Sequence, residues 1–383
     1  MEINLKPFLI IILLLAISCK EQAGNPAQSH SMETKGVTYA KGFSIEQSSS
    51  GITLLKVNSP WPDADRELVY ALVPRELLPT VSLDGYAYDA IIPVPVKSMV
   101  ATSTTHIPAL ESLGVADKMV GFPDTRYISS PYTRKRVEGG QITDIGRNEA
   151  INTEITLALQ PELVFGFSIN GENQTYQTLK QSGIPTVYVG DWTENTPLGK
   201  AEWIRFFAPF FGKEALALDE FSRIEKAYQQ AKELAMQATD NPTAISGALY
   251  KDIWYLPAGE SWAAKFLADA GAEYLWKDVP GTGSLSLSVE AVLEKGRNAD
   301  IWVSPSQYTS YAELAQGSRH YEQFRSFKDK KVYTFARSKG PTGGMLYYEL
   351  APTKPHEVLL DLIAIFHPEL LPERELYFFK PLE

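Results

Sequence analysis

From residue 98 onward the chain alternates short apolar runs with longer stretches whose apolar positions recur every three or four residues. "KSMVAT", "KMVGF", "ELVFGF" and "PTVYVG" are short, rich in β-branched and aromatic residues, and predict strands. "HIPALESLG", "INTEITLALQ" and "NQTYQTLKQSG" carry helical spacing, and Gly114 stops the first of them. Strands alternating with helices predict an α/β lobe with a mainly parallel sheet. Residues 37 to about 98 read differently: strand-like "GITLLKVN" and "ELVYALVP" are separated by the turn clusters "SSSG" and "WPDAD", which predicts a β-hairpin leader.

The middle of the chain changes period. "PLGKAEWIRFFAPFFG" reads as a helix broken at Gly212, and "KEALALDEFSRIEKAYQQAKELAMQ" is the longest helical pattern present. Ala217, Phe221, Ile224, Tyr228, Ala231 and Ala235 form one apolar stripe on it, so one side faces a core and the others face water. At a rise of about 1.5 Å per residue this helix spans more than ~30 Å, enough to run from one lobe to another. After Asn241-Pro242 a second α/β unit follows: strand "AISGALY", helices "SWAAKFLADAG" and "SVEAVLEKG", strands "DIWVS" and "KVYTF", and a closing helix "KPHEVLLDLIAIF". The halves share a weak repeat, in which "NTEITLALQPELVFG" answers "SVEAVLEKGRNADIWVS". The expected architecture is therefore α/β, with two Rossmann-like lobes (37–212 with its leader, and 239–383), one backbone helix (213–238) joining them, and a cleft between.

The first 36 residues stand apart. The apolar run from Phe8 to Ile17 follows Lys6 and is too short for a bilayer span of about 20 residues, so residues 1–18 read as an export signal. Ala16-Ile17-Ser18-Cys19 resembles the bacterial lipobox, which implies acylation of Cys19 and a lipid anchor to a membrane; a plain secretion signal that contains a cysteine is the alternative. Residues 19–36 then form a polar tether. Lys20-Glu21 also resembles a signal that sends lipoproteins to the cell surface. Cys19 is the only cysteine, which excludes internal disulfides and cysteine-based zinc sites. A net charge of -10 with no basic stripe excludes a nucleic-acid partner.

The stretches "VATSTTHIPALESLG", "LALQPELVFG", "NTPLGKAEWIRFF", "AGAEYLWKDVPGTGSLSLSVEAVL" and "FHPELLPERELYFF" follow one another in that order. On these, over about residues 36 to 381, the sequence resembles the substrate-binding lipoproteins of ATP-driven importers, in the helical-backbone class that takes up ferric siderophores, haem and cobalamin. The resemblance implies a binding protein with no resident cofactor, which delivers its ligand to a permease and ATPase. It further implies that one glutamate on each lobe docks on the permease, and Glu154 and Glu290 occupy the matching positions. Both also stand where a helix dipole and capping favour an acidic residue.

In a two-lobed binder the ligand contacts come from loops at the C-terminal ends of strands. Those loops offer Thr104 and Thr105, Arg126 and Tyr127, Arg147, Phe167, Trp192, Trp254 and Trp262, and Arg337, Tyr347 and Tyr348. Aromatic rings supply contact area, and arginines pair with carboxylates. Core packing is the alternative for any one aromatic, Trp254 and Trp203 in particular, and a solvated surface charge is the alternative for Arg126 and Arg337. The five histidines are scattered, which argues against a bare metal ion as ligand, so a metal would arrive inside a chelator. Cobalamin-binding relatives carry tryptophans where this chain has "GRNEAINTE" and "VFGFSIN". The arginines and tyrosines here favour an anionic ferric siderophore, and haem stays open because tyrosine can be an axial ligand. "GESWA" around Ser261 approaches the G-x-S-x-G elbow of serine hydrolases but ends in Ala and has no evident histidine partner, so no enzyme is expected.

Overall fold

The computed structural model describes residues 32–383 apart from Asp63 and Glu149. The signal segment, Cys19 and the tether up to residue 31 lie outside the described residues. The leader is a five-stranded sheet rather than a hairpin, in the order β1 (Met32–Lys35), β2 (Phe43–Ser48), β3 (Thr53–Val57), β4 (Leu68–Pro74) and β5 (Ala90–Val94). Only its last pair is parallel. The reason is that both faces are apolar. Ile45, Leu55, Val57, Tyr70, Leu72 and Ile92 face the first-lobe core, while Ile52, Leu54, Val69, Ala71 and Val73 gather on the other side under Leu77, Val81, Leu83 and Tyr86. A lone hairpin would leave the second face wet.

The first lobe holds β6 (Met99–Ala101), α1 (His106–Ser112), β7 (Met119–Phe122), α2 (Pro131–Glu138), β8 (Thr143–Asp144), a hairpin of β9 (Gly146–Arg147) and β10 (Ala150–Ile151), α3 (Thr153–Leu159), β11 (Leu163–Gly166), α4 (Gln174–Gln181) and β12 (Thr186–Tyr188). Its sheet is parallel, in the order β12-β11-β6-β7-β8. Short helices α5 (Pro197–Glu202) and α6 (Ile204–Phe207) lead to α7 (Glu214–Ala235).

The second lobe comprises β13 (Thr243–Ser246), β14 (Ala248–Tyr250), β15 (Ile253–Pro257), α8 (Trp262–Asp269), β16 (Glu273–Tyr274), β17 (Ser284–Leu287), α9 (Val289–Gly296), β18 (Ile301–Val303), α10 (Tyr311–Gly317), α11 (Arg325–Lys328), β19 (Val332–Thr334), α12 (Leu346–Leu350), α13 (Pro355–Phe366) and β20 (Lys380–Pro381). The main sheet runs β16-β13-β18-β19-β20 and is parallel except for β20. Strand order β7-β6-β11-β12 in one lobe thus matches β16-β13-β18-β19 in the other, and the weak sequence repeat has a structural counterpart. "AISGALY" is two strands, because Gly247 turns the chain at φ 78. An added Cβ there would overlap the Tyr255 carbonyl, so only glycine fits.

Helix α7 joins the two cores. Ala217 and Phe221 belong to the first-lobe cluster, Tyr228, Ala231 and Ala235 to the second, and Ile224 packs against both. Buried carboxylates fasten the segments around it. Glu202, fully buried, accepts the backbone N–H groups of Thr38, Tyr39 and Ala40 at 2.9, 2.7 and 2.9 Å and pairs with Arg205 at 2.7 Å. Glu194 accepts from Lys41 N, Gly42 N and Trp203 Nε1. Asp361 accepts from Tyr377, Phe378 and Phe379 N and from Arg374, and so holds the C-terminal tail onto α13.

Glu202→Leu should therefore cost about 3 to 5 kcal/mol of stability in urea unfolding, because it strands three N–H groups and the Arg205 cation. A change below about 1 kcal/mol would mean that water serves those groups equally well.

Candidate ligand-binding cleft

The C-terminal ends of both parallel sheets open toward one another. In the first lobe, Thr102 directly follows β6 and donates its hydroxyl to the Phe165 carbonyl of β11 at 3.0 Å. Ser103 and Thr105 then exchange a side-chain hydrogen bond of 2.9 Å, leaving Thr104 at the cavity wall. After β7, Asp124 takes a left-handed conformation (φ 48) that swings Arg126 and Tyr127 outward. These loops, with Asn148 from the β9–β10 turn, face Gln307, Gly343, Met345 and Tyr348 of the second lobe across a cavity of about 450 Å³.

A seam closes the lobes beside this cavity. Glu349 of α12 is 1% exposed and accepts the backbone N–H groups of Ser129 (2.6 Å) and Ser130 (2.8 Å) from the first lobe. Burial raises the pKa of its carboxyl, against the pull of those two N–H groups. Thr342 donates its hydroxyl to the Arg126 carbonyl at 2.6 Å. Gly344 lies so close to the Tyr127 carbonyl that any side chain would overlap it.

A second, larger cavity of about 880 Å³ lies where the loop after β12 meets the loops around α8 and β17. Trp61, Trp192 and Trp262 line it, with Asn195, Ser261 and Thr282. The Trp192 indole N–H is buried and makes no hydrogen bond. Behind the wall, Lys200 is buried, donates to the carbonyls of Asp191 and Trp192 at 3.0 and 2.9 Å, and sits 5.0 Å from the Trp262 ring centre. Burial lowers its pKa to about 8, while Asp191 and Glu194 pull the other way.

Among the residues chosen from sequence, Thr104 and Tyr127 line the smaller cavity and Trp192 and Trp262 the larger. Arg126 and Arg147 do not line the smaller cavity: Arg126 is exposed, stacks on Tyr127 at 4.7 Å and lies 3.7 Å from the Asp124 carboxylate, and Arg147 is exposed next to Asn148. Phe167 is half-buried and lines neither cavity, and Thr105 is the residue before α1. Three choices are corrected. Trp254 is fully buried against Trp302, Tyr321 and Phe324, with its indole N–H on the Ser246 carbonyl. Tyr347 stacks on Phe335 at 4.6 Å inside the second-lobe core, whereas Tyr348, read from the same loop, lines the smaller cavity. Arg337 is spent on the chain's end, paired with Glu383 and bonded to the Pro381 carbonyl. The sequence offered no cue for Gln307, Met345 or Trp61, the last lying in a turn cluster of the leader.

Ser261 caps α8: its hydroxyl donates to the Ala258 carbonyl at 2.7 Å and accepts the Ala264 N–H. His106 is fully buried beside Phe207, and burial lowers its pKa to about 4, so it faces the core rather than a ligand. Glu154 and Glu290 are both exposed in the first turns of α3 and α9, the helices that precede the equivalent strands β11 and β18. The Glu290 carboxyl is held below its ordinary pKa by its own backbone amide and the Ser288 hydroxyl.

Two α/β lobes of like strand order, a single bridging helix and an interlobe cleft define a solute-binding protein, and residues 99–337 match the family model described as "Periplasmic binding protein". The chain belongs to that family, in its helical-backbone class. It is similar to a periplasmic haem-binding protein of Pseudomonas aeruginosa (TM-score 0.55, 18% identity, 71% of this chain and 93% of that one). It is also similar to Helicobacter pylori CeuE with Ni(II) bound (TM-score 0.54, 18% identity, 74% and 88% covered). An uncharacterized lipoprotein of Methanocaldococcus jannaschii is 26% identical over 298 residues, 76% of this chain and 69% of that protein. The structural likenesses establish the fold.

Lys200 gives a pH signature. Its folded pKa of about 8 lies below the unfolded value near 10.5, so the unfolded chain holds more protons between those pH values and stability rises with pH there. Relative to Lys200→Met, the wild type should gain about 3 kcal/mol from pH 8 to 10.5 in urea unfolding. A constant difference would mean that the ammonium stays hydrated.

Proposed function

We propose that this protein is the substrate-binding component of an ATP-driven importer and that it captures a metal chelate of the ferric siderophore class for delivery to a membrane permease and ATPase. The observation that carries the reading is the smaller interlobe cavity, walled by hydroxyls on one lobe and by a tyrosine from each lobe, Tyr127 and Tyr348. Hydroxyls and rings suit the polar and aromatic parts of a chelator, and Arg126 and Arg147, exposed and next in sequence to the lining residues Tyr127 and Asn148, would supply positive charge for an anionic complex. The metal is cargo, and capture needs no resident cofactor. The ligand named for one similar solved structure, haem, is itself a metal chelate.

One observation favours a second reading. Trp61, Trp192 and Trp262 give the larger cavity three flat apolar walls and an unpartnered indole N–H, which would suit a planar macrocycle such as cobalamin or haem.

Tryptophan fluorescence titrated with ferric siderophores, haem and cobalamin separates the readings. One ferric siderophore should saturate the protein at one per chain, and Tyr127→Ala or Tyr348→Ala should weaken it about tenfold or more. Saturation by cobalamin or haem alone, abolished by Trp192→Ala, would move the site to the larger cavity.

Delivery follows the same reading. Cys19 anchors the chain to the cell envelope through lipid, and Glu154 and Glu290 dock one lobe each onto cationic residues of the permease. Glu154→Ala with Glu290→Ala should leave ligand affinity unchanged and slow cellular uptake, since truncating a desolvated interfacial charge costs about 2 to 5 kcal/mol. In the same assay Cys19→Ser should release the protein from the membrane with binding intact. Normal uptake by a stable double variant would leave both glutamates as helix caps.

A further inference from the structure

At the end of the second lobe away from the cleft, the loop between α7 and β13 meets the residues that follow α13. Asp240, His367 and Glu369 converge there, each offering one donor atom, all within 4.8 Å of one another. His367 Nδ1 lies 3.5 Å from Asp240 Oδ1 and 3.9 Å from Glu369 Oε1. The two carboxylates are exposed and the imidazole is fully buried.

The imidazole's tautomer follows from its other nitrogen. His367 Nε2 is 3.1 Å from the Ala270 carbonyl, which can only accept, so Nε2 carries a hydrogen and donates it there. A neutral ring then presents a lone pair at Nδ1, and Nδ1 is buried without a hydrogen-bond partner. That lone pair faces two carboxylates, an arrangement that calls for a positive charge among the three. Gly271, at φ 78, makes the ring's position accessible, because a Cβ there would come within 2.8 Å of Nε2.

We propose that Asp240, His367 and Glu369 bind one divalent transition-metal ion, Zn²⁺ by preference, as a structural staple separate from the cargo site. Bonds of about 2.1 Å at a tetrahedral angle set donor atoms about 3.4 Å apart, close to the 3.5 Å between His367 Nδ1 and Asp240 Oδ1, and a small side-chain rotation of the exposed Glu369 would close its 3.9 Å separation to the same value. One imidazole with two carboxylates suits zinc or manganese better than calcium or magnesium, and the Irving–Williams order places zinc above manganese. The backbone carbonyl on Nε2–H is the partner that commonly fixes the tautomer of a metal-bound histidine. Water completes the coordination on the exposed side. Asp240 follows the backbone helix and His367 follows the closing helix, so the ion would tie the ends of α7 and α13 together at the N-terminal edge of β13.

The test uses the full chain stripped of metal, titrated calorimetrically with Zn²⁺, Mn²⁺, Ca²⁺ and Mg²⁺, beside the double variant Asp240→Asn with Glu369→Gln. Both substitutions are exposed and nearly isosteric, so folding, checked by circular dichroism, is retained where His367→Ala could lose it. The wild type should bind one Zn²⁺ per chain, with a raised Tm, and the double variant should bind it about 100-fold or more weaker. An anomalous peak at the zinc edge between the three donors would establish the ligands. No binding by the wild type would overturn the proposal. Equal binding by both proteins would put the ion elsewhere, the cleft included, and overturn it too.

Discussion

The relative position of the two lobes rests on one apolar stripe. Because Ala217 and Phe221 are buried in one core and Tyr228, Ala231 and Ala235 in the other, α7 cannot rotate or slide without exposing side chains at both ends. A continuous helix of 22 residues, about 33 Å long, also has no soft backbone torsion at which to hinge. The loops at the C-terminal ends of the sheets are thereby held opposite one another. The Glu349 contacts to Ser129 and Ser130 add a second tie at the cleft edge. Binding in such a frame would proceed mainly through loop and side-chain adjustment.

A recurring device fastens everything else to that frame. Glu194, Glu202, Glu349 and Asp361 are all buried, and each spends its charge on backbone N–H groups of a segment distant in sequence. An anion removed from water is costly unless its lone pairs are filled, and two or three aligned amides fill them while fixing the path of the chain that supplies them. The leader, the second lobe's seam and the C-terminal tail are each held in this way. Losing one carboxylate therefore frees a segment rather than a single contact.

The matching strand orders make the cleft an assembly of unlike edges. One cavity joins the loops after β6 and β7 to those after β18 and β19, and the other joins the loop after β12 to the region around α8 and β17. The first is walled by hydroxyls and tyrosines and the second by tryptophans, so two chemistries share one gap.

Much of the architecture was legible in the sequence, since period and punctuation depend on local geometry. The stripe on α7, the strand and helix alternation, and the repeat that aligns Glu154 with Glu290 all follow from residues close together along the chain. The leader's second buried face, by contrast, depended on residues 77–86 folding back over it. Which aromatics face the ligand gap was also decided in three dimensions: Trp254 and Tyr347 carry the same side chains as Trp262 and Tyr348, yet the first pair is enclosed by Trp302 and Phe335 while the second meets the cleft. Arg337 looked free for a ligand until the chain's last residue folded onto it. The convergence of Asp240, His367 and Glu369 likewise required the closing helix to return beside the backbone helix. Sequence alone determined what each segment wants to bury; only the tertiary structure decided what covers it, because burial and pairing are set by partners from a dozen to more than a hundred residues away along the chain.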